Sequence, residues 1–210
     1  MKNKVLRIRI WENYRMGFFA VLLIVFGFTS QNALAQTDNR FAVEFRPGVN
    51  FATSNPGGAD VNFGYGLEGV FSYRLFSTLS VYAGWSWNHF EADQSFAGND
   101  VGFEETGYMY GLRYIFPLKN ERMGILLGAG GLYNHIELEN TEGDIIGDTK
   151  HGFGYQVEAG LAIMLGENET FRLTPALRYR ALSRDIEFNN VNHTLDLNYL
   201  SLGLGIAVQF

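Results

Sequence analysis

Few residue types in this chain could carry bond-making chemistry. There are four histidines, His89, His135, His151 and His193, and no cysteine. The lack of cysteine removes disulfides, a thiolate nucleophile and Cys-based zinc sites together. Acyl transfer would need a hydroxyl, a base and an orienting carboxylate. His89 with Glu91, and His135 with Glu137, stand two residues apart, hence on one face of an extended strand, and Ser86 or Ser95 could complete a remote triad. No histidine is followed at two residues by serine, and no Asp-Ser dipeptide occurs. Polar rim residues are the commoner explanation of such side chains, so no catalytic, cofactor-binding or metal-binding residue is assigned. Around 92–102 the residues Glu91, Asp93, Asp100, Glu104 and Glu105 occur without a basic neighbour, and Glu137, Glu139, Glu142, Asp144 and Asp148 surround 139–150 with only Lys150. Such oxygen-rich segments could hold Ca²⁺ or Mg²⁺ or share them with anionic lipid, but EF-hand spacing is absent.

A second set of ionisable residues is spaced for another purpose. Glu44, Arg46, Glu68, Arg74, Arg113, Glu158, Arg172, Arg178 and Arg180 fall on the small-residue side of alternating stretches, among glycines such as Gly64, Gly84, Gly111, Gly203 and Gly205. Charges gathered inside a narrow tube must pair, because an unpaired buried ion costs several kcal/mol. They would line either a gated polar path or a salt-bridged plug. The plug is expected, since an eight-stranded barrel has an interior only wide enough for side chains to fill.

These residues are positioned by period-two alternation. Residues 61–75 put Val61, Phe63, Tyr65, Leu67, Phe71, Tyr73 and Leu75 on one face, with Gly64, Gly66, Glu68, Ser72 and Arg74 on the other. Strands are expected at about 40–52, 61–75, 79–91, 103–117, 123–138, 151–165, 171–184 and 195–210. Most exceed the roughly five or six residues of a soluble strand and reach the roughly ten that a tilted strand needs to cross hydrocarbon. A bulge is expected in the fifth segment, where Leu126 and Leu132 fall on the small face, and Pro175 puts the register of the seventh in question. Links are short at 76–78, 118–122 and 166–170 and longer at 53–60, 92–102, 139–150 and 185–194, the rhythm of a membrane barrel. Outward aromatics form two levels, Tyr73, Tyr114, Phe116, Phe171 and Phe210 at one rim and Trp85, Trp87 and Tyr108 at the other, as interfacial girdles would.

At the N-terminus Lys2, Lys4, Arg7, Arg9 and Arg15 accompany an apolar run at 17–28, and Ala33-Leu34-Ala35 presents an A-x-A site. This predicts a cleaved signal peptide over 1–35 and one domain over 36–210. The apolar run is shorter than the roughly 18 residues of a spanning helix. The whole chain holds 16 basic and 22 acidic residues; without 1–35 it holds 11 and 21, a net charge of −10. Nucleic acid is therefore not an expected partner.

Together with these features, the terminal strand ending Gly205-Ile206-Ala207-Val208-Gln209-Phe210 resembles the closing strand of the small OmpA/OmpX-like outer-membrane barrels, the outer membrane protein beta-barrel domain, over residues 36–210. The resemblance implies an all-β fold, an eight-stranded antiparallel up-and-down transmembrane β-barrel preceded by a cleaved signal peptide, in the bacterial outer membrane with both termini periplasmic. It implies that Gly205, Val208 and Phe210 belong to an assembly signal read by the barrel assembly machinery, and that lipid and lipopolysaccharide surround a monomer. No cofactor is implied. Because the strand runs to Phe210, the cell-wall tether of two-domain relatives is not expected. The expected function is a non-enzymatic anchor presenting acidic extracellular loops for surface interaction or envelope integrity. The alternatives are a lipid A or phospholipid-modifying barrel enzyme, whose known forms use His-x-Ser or Asp-Ser patterns not found here, and a narrow gated pore.

Overall fold

The computed structural model describes residues 39–119 and 122–210; the expected signal peptide lies outside the described residues. The strands are β1 (Phe41–Ala52), β2 (Asp60–Arg74), β3 (Leu79–Ser95), β4 (Gly98–Pro117), β5 (Met123–Glu139), β6 (Ile145–Asp148), β7 (Gly152–Leu165), β8 (Phe171–Phe188) and β9 (Val191–Gln209). Eight of them, all but β6, pair antiparallel with their neighbours in chain order, and β9 pairs back onto β1. Closing the ring leaves no strand edge along the barrel, which a sheet surrounded by lipid requires. Phe41 and Phe210 lock the seam by exchanging backbone hydrogen bonds of 2.9 Å in both directions. Both strand termini of the seam lie at one end of the barrel, here called the terminal end; the other is the hairpin end.

Two chemistries stack along each strand. Over the part nearest the terminal end, large apolar side chains point outward, as in Leu79, Val81, Trp85 and Trp87 of β3 or Phe116, Tyr114, Leu112, Tyr110 and Tyr108 of β4, with glycine and polar groups inward. The outward apolar rows run about 9–11 residues, the length that spans hydrocarbon. Beyond them the pattern inverts. On β3 the outward positions become His89, Glu91 and Asp93 while Phe90 and Ala92 turn inward; on β4 they become Thr106 and Glu104 over buried Phe103 and Val101. The upper barrel therefore follows the rule of a soluble barrel, apolar inside and polar outside.

This inversion corrects two expected loops. Residues 92–102 and 185–194 are not long loops but continuations of β3–β4 and β8–β9, joined at Phe96-Ala97 and at Asn189-Asn190. Both asparagines have positive φ, 51° and 61°, as a two-residue hairpin turn of matching twist needs. Their polar outer residues read as loop because water replaces lipid there. In 139–150 the short β6 pairs with the top of β5 through Glu137↔Asp148 and Leu138↔Gly147. The link 53–60 holds one turn of 3₁₀ helix, Pro56–Gly58.

The expected bulge in β5 is also corrected: β5 pairs without a shift along β4 from Gly124 to Glu139, and Leu126 and Leu132 simply point inward, fully buried. Register shifts occur instead in β2 between Asp60 and Gly64, and at the top of β5 against β6, between Leu138 and Glu139. Pro175 leaves its register intact. The ladder from β8 to β9 continues through Pro175↔Leu204, while that to β7 is interrupted between Gly160↔Ala176 and Ile163↔Leu173, where proline lacks an N–H to give.

Candidate functional site

The interior is filled in layers. Nearest the terminal end, Glu44 and Arg46 of β1, Glu68 of β2, Arg113 of β4, Glu158 of β7 and Arg172 and Arg178 of β8 converge because each lies on the inward parity of its strand. Arg46 reaches Glu44 at 3.1 Å and both Glu68 and Glu158 at 3.2 Å. Arg113 joins Glu44 at 2.8 Å and Glu158 at 2.5 Å, and its guanidinium lies 4.5 Å from the Tyr82 ring centre. Arg178 binds Glu68 and donates to the Ser201 hydroxyl at 3.1 Å. Arg180, one layer up, holds the other Glu68 oxygen at 2.7 Å. Arg74, expected in this set, sits apart: half-buried at the terminal mouth, it donates to the Asn39 carbonyl.

The next layer was not read from the sequence as interior. Glu105, grouped there with the acidic segment 92–102, is fully buried. It accepts from Asn134, from Asn88 at 2.6 Å and from the Tyr199 hydroxyl at 2.7 Å, and faces Arg180 at 3.4 Å. Gln156 bridges Arg180 and Tyr82, accepting from the first at 2.9 Å and donating to the second at 2.7 Å. Arg184 is held by Asn134 and by the carbonyls of Gly152 and Phe153. A signal for Glu105 existed: counting by twos from Arg113 along β4 reaches it.

Above this lies an apolar layer. Phe90, Phe103, Val101, Ile136, Leu138, Ile186, Leu195 and Leu197 pack together across the barrel, nearly all of them without solvent contact. This layer fills the bore at the hairpin end.

On the outer wall the aromatics expected as girdles take two levels. Phe41, Phe71, Tyr73 and Phe210 cluster with ring centres 4.9–6.1 Å apart at the terminal end, with Tyr114 and Phe116 at 4.4 Å elsewhere on that rim. Phe171 there is half exposed. At the upper level Tyr65 packs on Trp87 and Tyr133 on Phe153, with Trp85 and Tyr108 exposed.

Just past the apolar belt, a band of histidines and carboxylates runs across four strands on the outer face. His89 pairs in register with Glu104, Glu104 with Glu137, and Glu137 with Asp148. His89, Glu104 and Glu139 can bring one ligand atom each within 4.8 Å of one another, as can His135, Glu137 and Asp148. His135 Nδ1 lies 2.8 Å from Asp148, and its ring stacks on His151. His193 stacks instead on Phe96 at the hairpin tips. The candidate triads do not assemble around Ser86, which points into the bore and accepts from Arg180, while His89 and His135 face outward. Ser95 is occupied with its turn, donating to the Gly98 carbonyl and accepting from the Ala97 N–H.

The hydrogen bond to Glu104, 3.3 Å long, holds the His89 imidazole above the ordinary histidine pKa against the opposing effect of burial. Burial is the largest influence raising Glu137 and Glu139, with Glu104 among the like charges that add to it. A raised histidine stabilises the fold fully below its unfolded pKa, and that contribution is lost as pH rises through the folded value. An NMR titration of the His89 ring should give a midpoint above the ordinary value that Glu104→Gln lowers. A wild-type midpoint at or below the ordinary value contradicts the pairing.

A family model described as outer membrane protein beta-barrel domain matches residues 20–210. No curated protein matches the chain. Among solved structures, Neisserial surface protein A is 14% identical, with a TM-score of 0.58, over 82% of this chain and 98% of that one. OprG from Pseudomonas aeruginosa is 13% identical, with a TM-score of 0.55, over 81% and 97%. Outer membrane protein W of E. coli is 13% identical, also at 0.55, over 81% and 97%. At these identities the likeness concerns the fold alone.

Proposed function

Because the chain belongs to the outer membrane protein beta-barrel domain family, and so to the bacterial outer membrane, we propose that it serves there as a non-enzymatic anchor whose bore is closed. Both termini face the periplasm and the hairpin end faces outward. The observation that carries this reading is the apolar layer capping the arginine layers, with Phe90, Phe103, Leu195 and Leu197 meeting across the bore. An ion would have to cross an arginine-carboxylate lattice and then a layer offering it no polar partner, and desolvation opposes that step. Strands β3, β4, β5 and β6 hold an acidic, histidine-bearing wall at headgroup height, suited to meeting lipopolysaccharide phosphates through shared divalent cations. A monomer suffices, since each barrel closes its own edges. Gly205, Val208 and Phe210 act as the signal read by the barrel assembly machinery, with Phe210 seated in the aromatic cluster of Phe41, and residues 1–35 act as the cleaved signal peptide.

Purified protein in planar bilayers is expected to give no stepwise single-channel current. Discrete openings would overturn the closed bore. Lipid A analysed by mass spectrometry with and without the protein should show the same acylation pattern, and a changed pattern would replace the anchor with an enzyme.

A further inference from the structure

The charges in the bore do not balance. Arg46, Arg113, Arg172, Arg178, Arg180 and Arg184 are all buried, against four buried carboxylates, Glu44, Glu68, Glu105 and Glu158. Arginine stays protonated in proteins, so the excess positive charge cannot be relieved by losing a proton. Part of it sits high in the bore on Arg184, which is held by the neutral oxygens of Asn134, Gly152 and Phe153; the rest lies at the terminal mouth. Arg46, Arg113, Arg178 and Arg180 each have a carboxylate oxygen within 3.2 Å. Arg172 comes no nearer than 3.6 Å to Glu44, whose oxygens lie closer to Arg46, at 3.1 Å, and to Arg113, at 2.8 Å. The buried Arg172 Nε has no hydrogen-bond partner; Arg46, Arg113 and Arg178 each also leave one guanidinium nitrogen unbonded, but those three have a carboxylate within 3.2 Å and Arg172 does not.

Arg172 also lines a cavity of about 270 Å³ at the terminal mouth, together with Arg74, Ser72, Ser80, Thr78 and Gln209. This volume holds a tetrahedral anion and several waters, at about 30 Å³ each, and is too small for a drug-sized ligand. Glu169 also lines it, at the exposed rim. The hydroxyls offer donors, and the guanidinium offers the planar fork that suits oxyanions.

We infer that this cavity is a binding site for a small phosphate-type oxyanion, seated on Arg172 and neutralising the excess charge of the plug. The anion is either free phosphate or the headgroup of a phospholipid in the surrounding leaflet. The site lies at the opposite end of the barrel from the acidic wall invoked above, so the two readings stand or fall separately.

The test uses the refolded 36–210 barrel in zwitterionic micelles, with side-chain ¹⁵Nε–¹H and backbone amide spectra recorded at constant ionic strength during addition of inorganic phosphate and, separately, of short-chain phosphatidylglycerol. Saturable shifts of the Arg172 Nε resonance and of the Arg74, Ser72 and Gln209 amides are expected. Response to inorganic phosphate identifies free phosphate as the source, and response to the lipid alone identifies the headgroup. Arg172→Gln should weaken the amide response by about tenfold or more, one charge-assisted hydrogen bond's worth. If that variant does not fold, Arg172→Lys, which keeps the charge and loses the fork, should still weaken it. Absence of saturable shifts with both ligands, or shifts unchanged in the folded variants, overturns the site.

Discussion

Replacing Glu68 by glutamine is expected to destabilise the barrel by about 3–5 kcal/mol, the cost of removing one partner from a buried ion pair. Glu68 serves three arginines at once: Arg46 at 3.2 Å, Arg180 at 2.7 Å and Arg178 in closest contact. Glutamine keeps the volume but withdraws the charge, so three buried guanidiniums are left facing each other with one compensating oxygen fewer. A loss of that size is a large part of the roughly 5–15 kcal/mol that holds a domain together. Urea unfolding in lipid vesicles, followed by tryptophan fluorescence or by the folded band in unheated gels, measures it. Glu91→Gln, on the exposed outer face of β3, should change stability by less than about 0.5 kcal/mol in the same assay. Adding Arg178→Met to Glu68→Gln should recover part of the loss, because it removes one of the stranded charges. A loss below about 1 kcal/mol for the single variant would mean that water, not the lattice, carries these charges.

Gly107→Val is expected to destabilise the barrel by about 3 kcal/mol or more, with most of the protein failing to reach the folded gel band. Gly107 of β4 faces inward opposite Asn134 of β5. A Cβ there would stand 2.5 Å from the Asn134 Cα and Cβ and from the Tyr133 carbonyl. These are mostly backbone atoms of a paired strand, which cannot yield without breaking the ladder, and overpacking alone costs about 1–3 kcal/mol even where side chains can move. Gly69, on the outer face of β2, has open space where its Cβ would be, so Gly69→Ala should be tolerated. Equal tolerance at both positions would contradict the close β4–β5 approach.

The limits of reading this chain without its fold appear in particular residues. Glu44, Arg46, Glu68, Arg113, Glu158, Arg172, Arg178 and Arg180 were recognisable as one group because strict alternation gives each the same parity as the glycines beside it. Glu105 was not, although it has that parity and falls within the expected strand 103–117, because it stood with Asp100 and Glu104 among the acids surrounding the expected 92–102 loop. Arg74 has inward parity too, yet it ends at the mouth beside Asn39, since parity says which face a residue takes and not how deep in the bore it lies. Tyr82 and Tyr199 are aromatics that work inside the polar layer. Nothing in their types distinguishes them from girdle residues until the parity of β3 and β9 is set against Ser80, Ser86 and Ser201.

By itself, the sequence determined the strand count of the closed ring, its up-and-down order, the apolar belt and the acidic character of the hairpin end. All of these follow from local rules: side chains alternate every residue, and a belt must match the thickness of hydrocarbon. Only the tertiary structure decided where the alternation inverts, that Phe90, Phe103 and Leu195 pack together across the bore, and which arginines meet carboxylates closely. The physical reason is that these depend on strand stagger around the ring. Depth in the barrel is set by the register between strands distant in sequence, such as those carrying Arg46 and Glu158, 112 residues apart, and one strand's pattern does not record its height relative to another's.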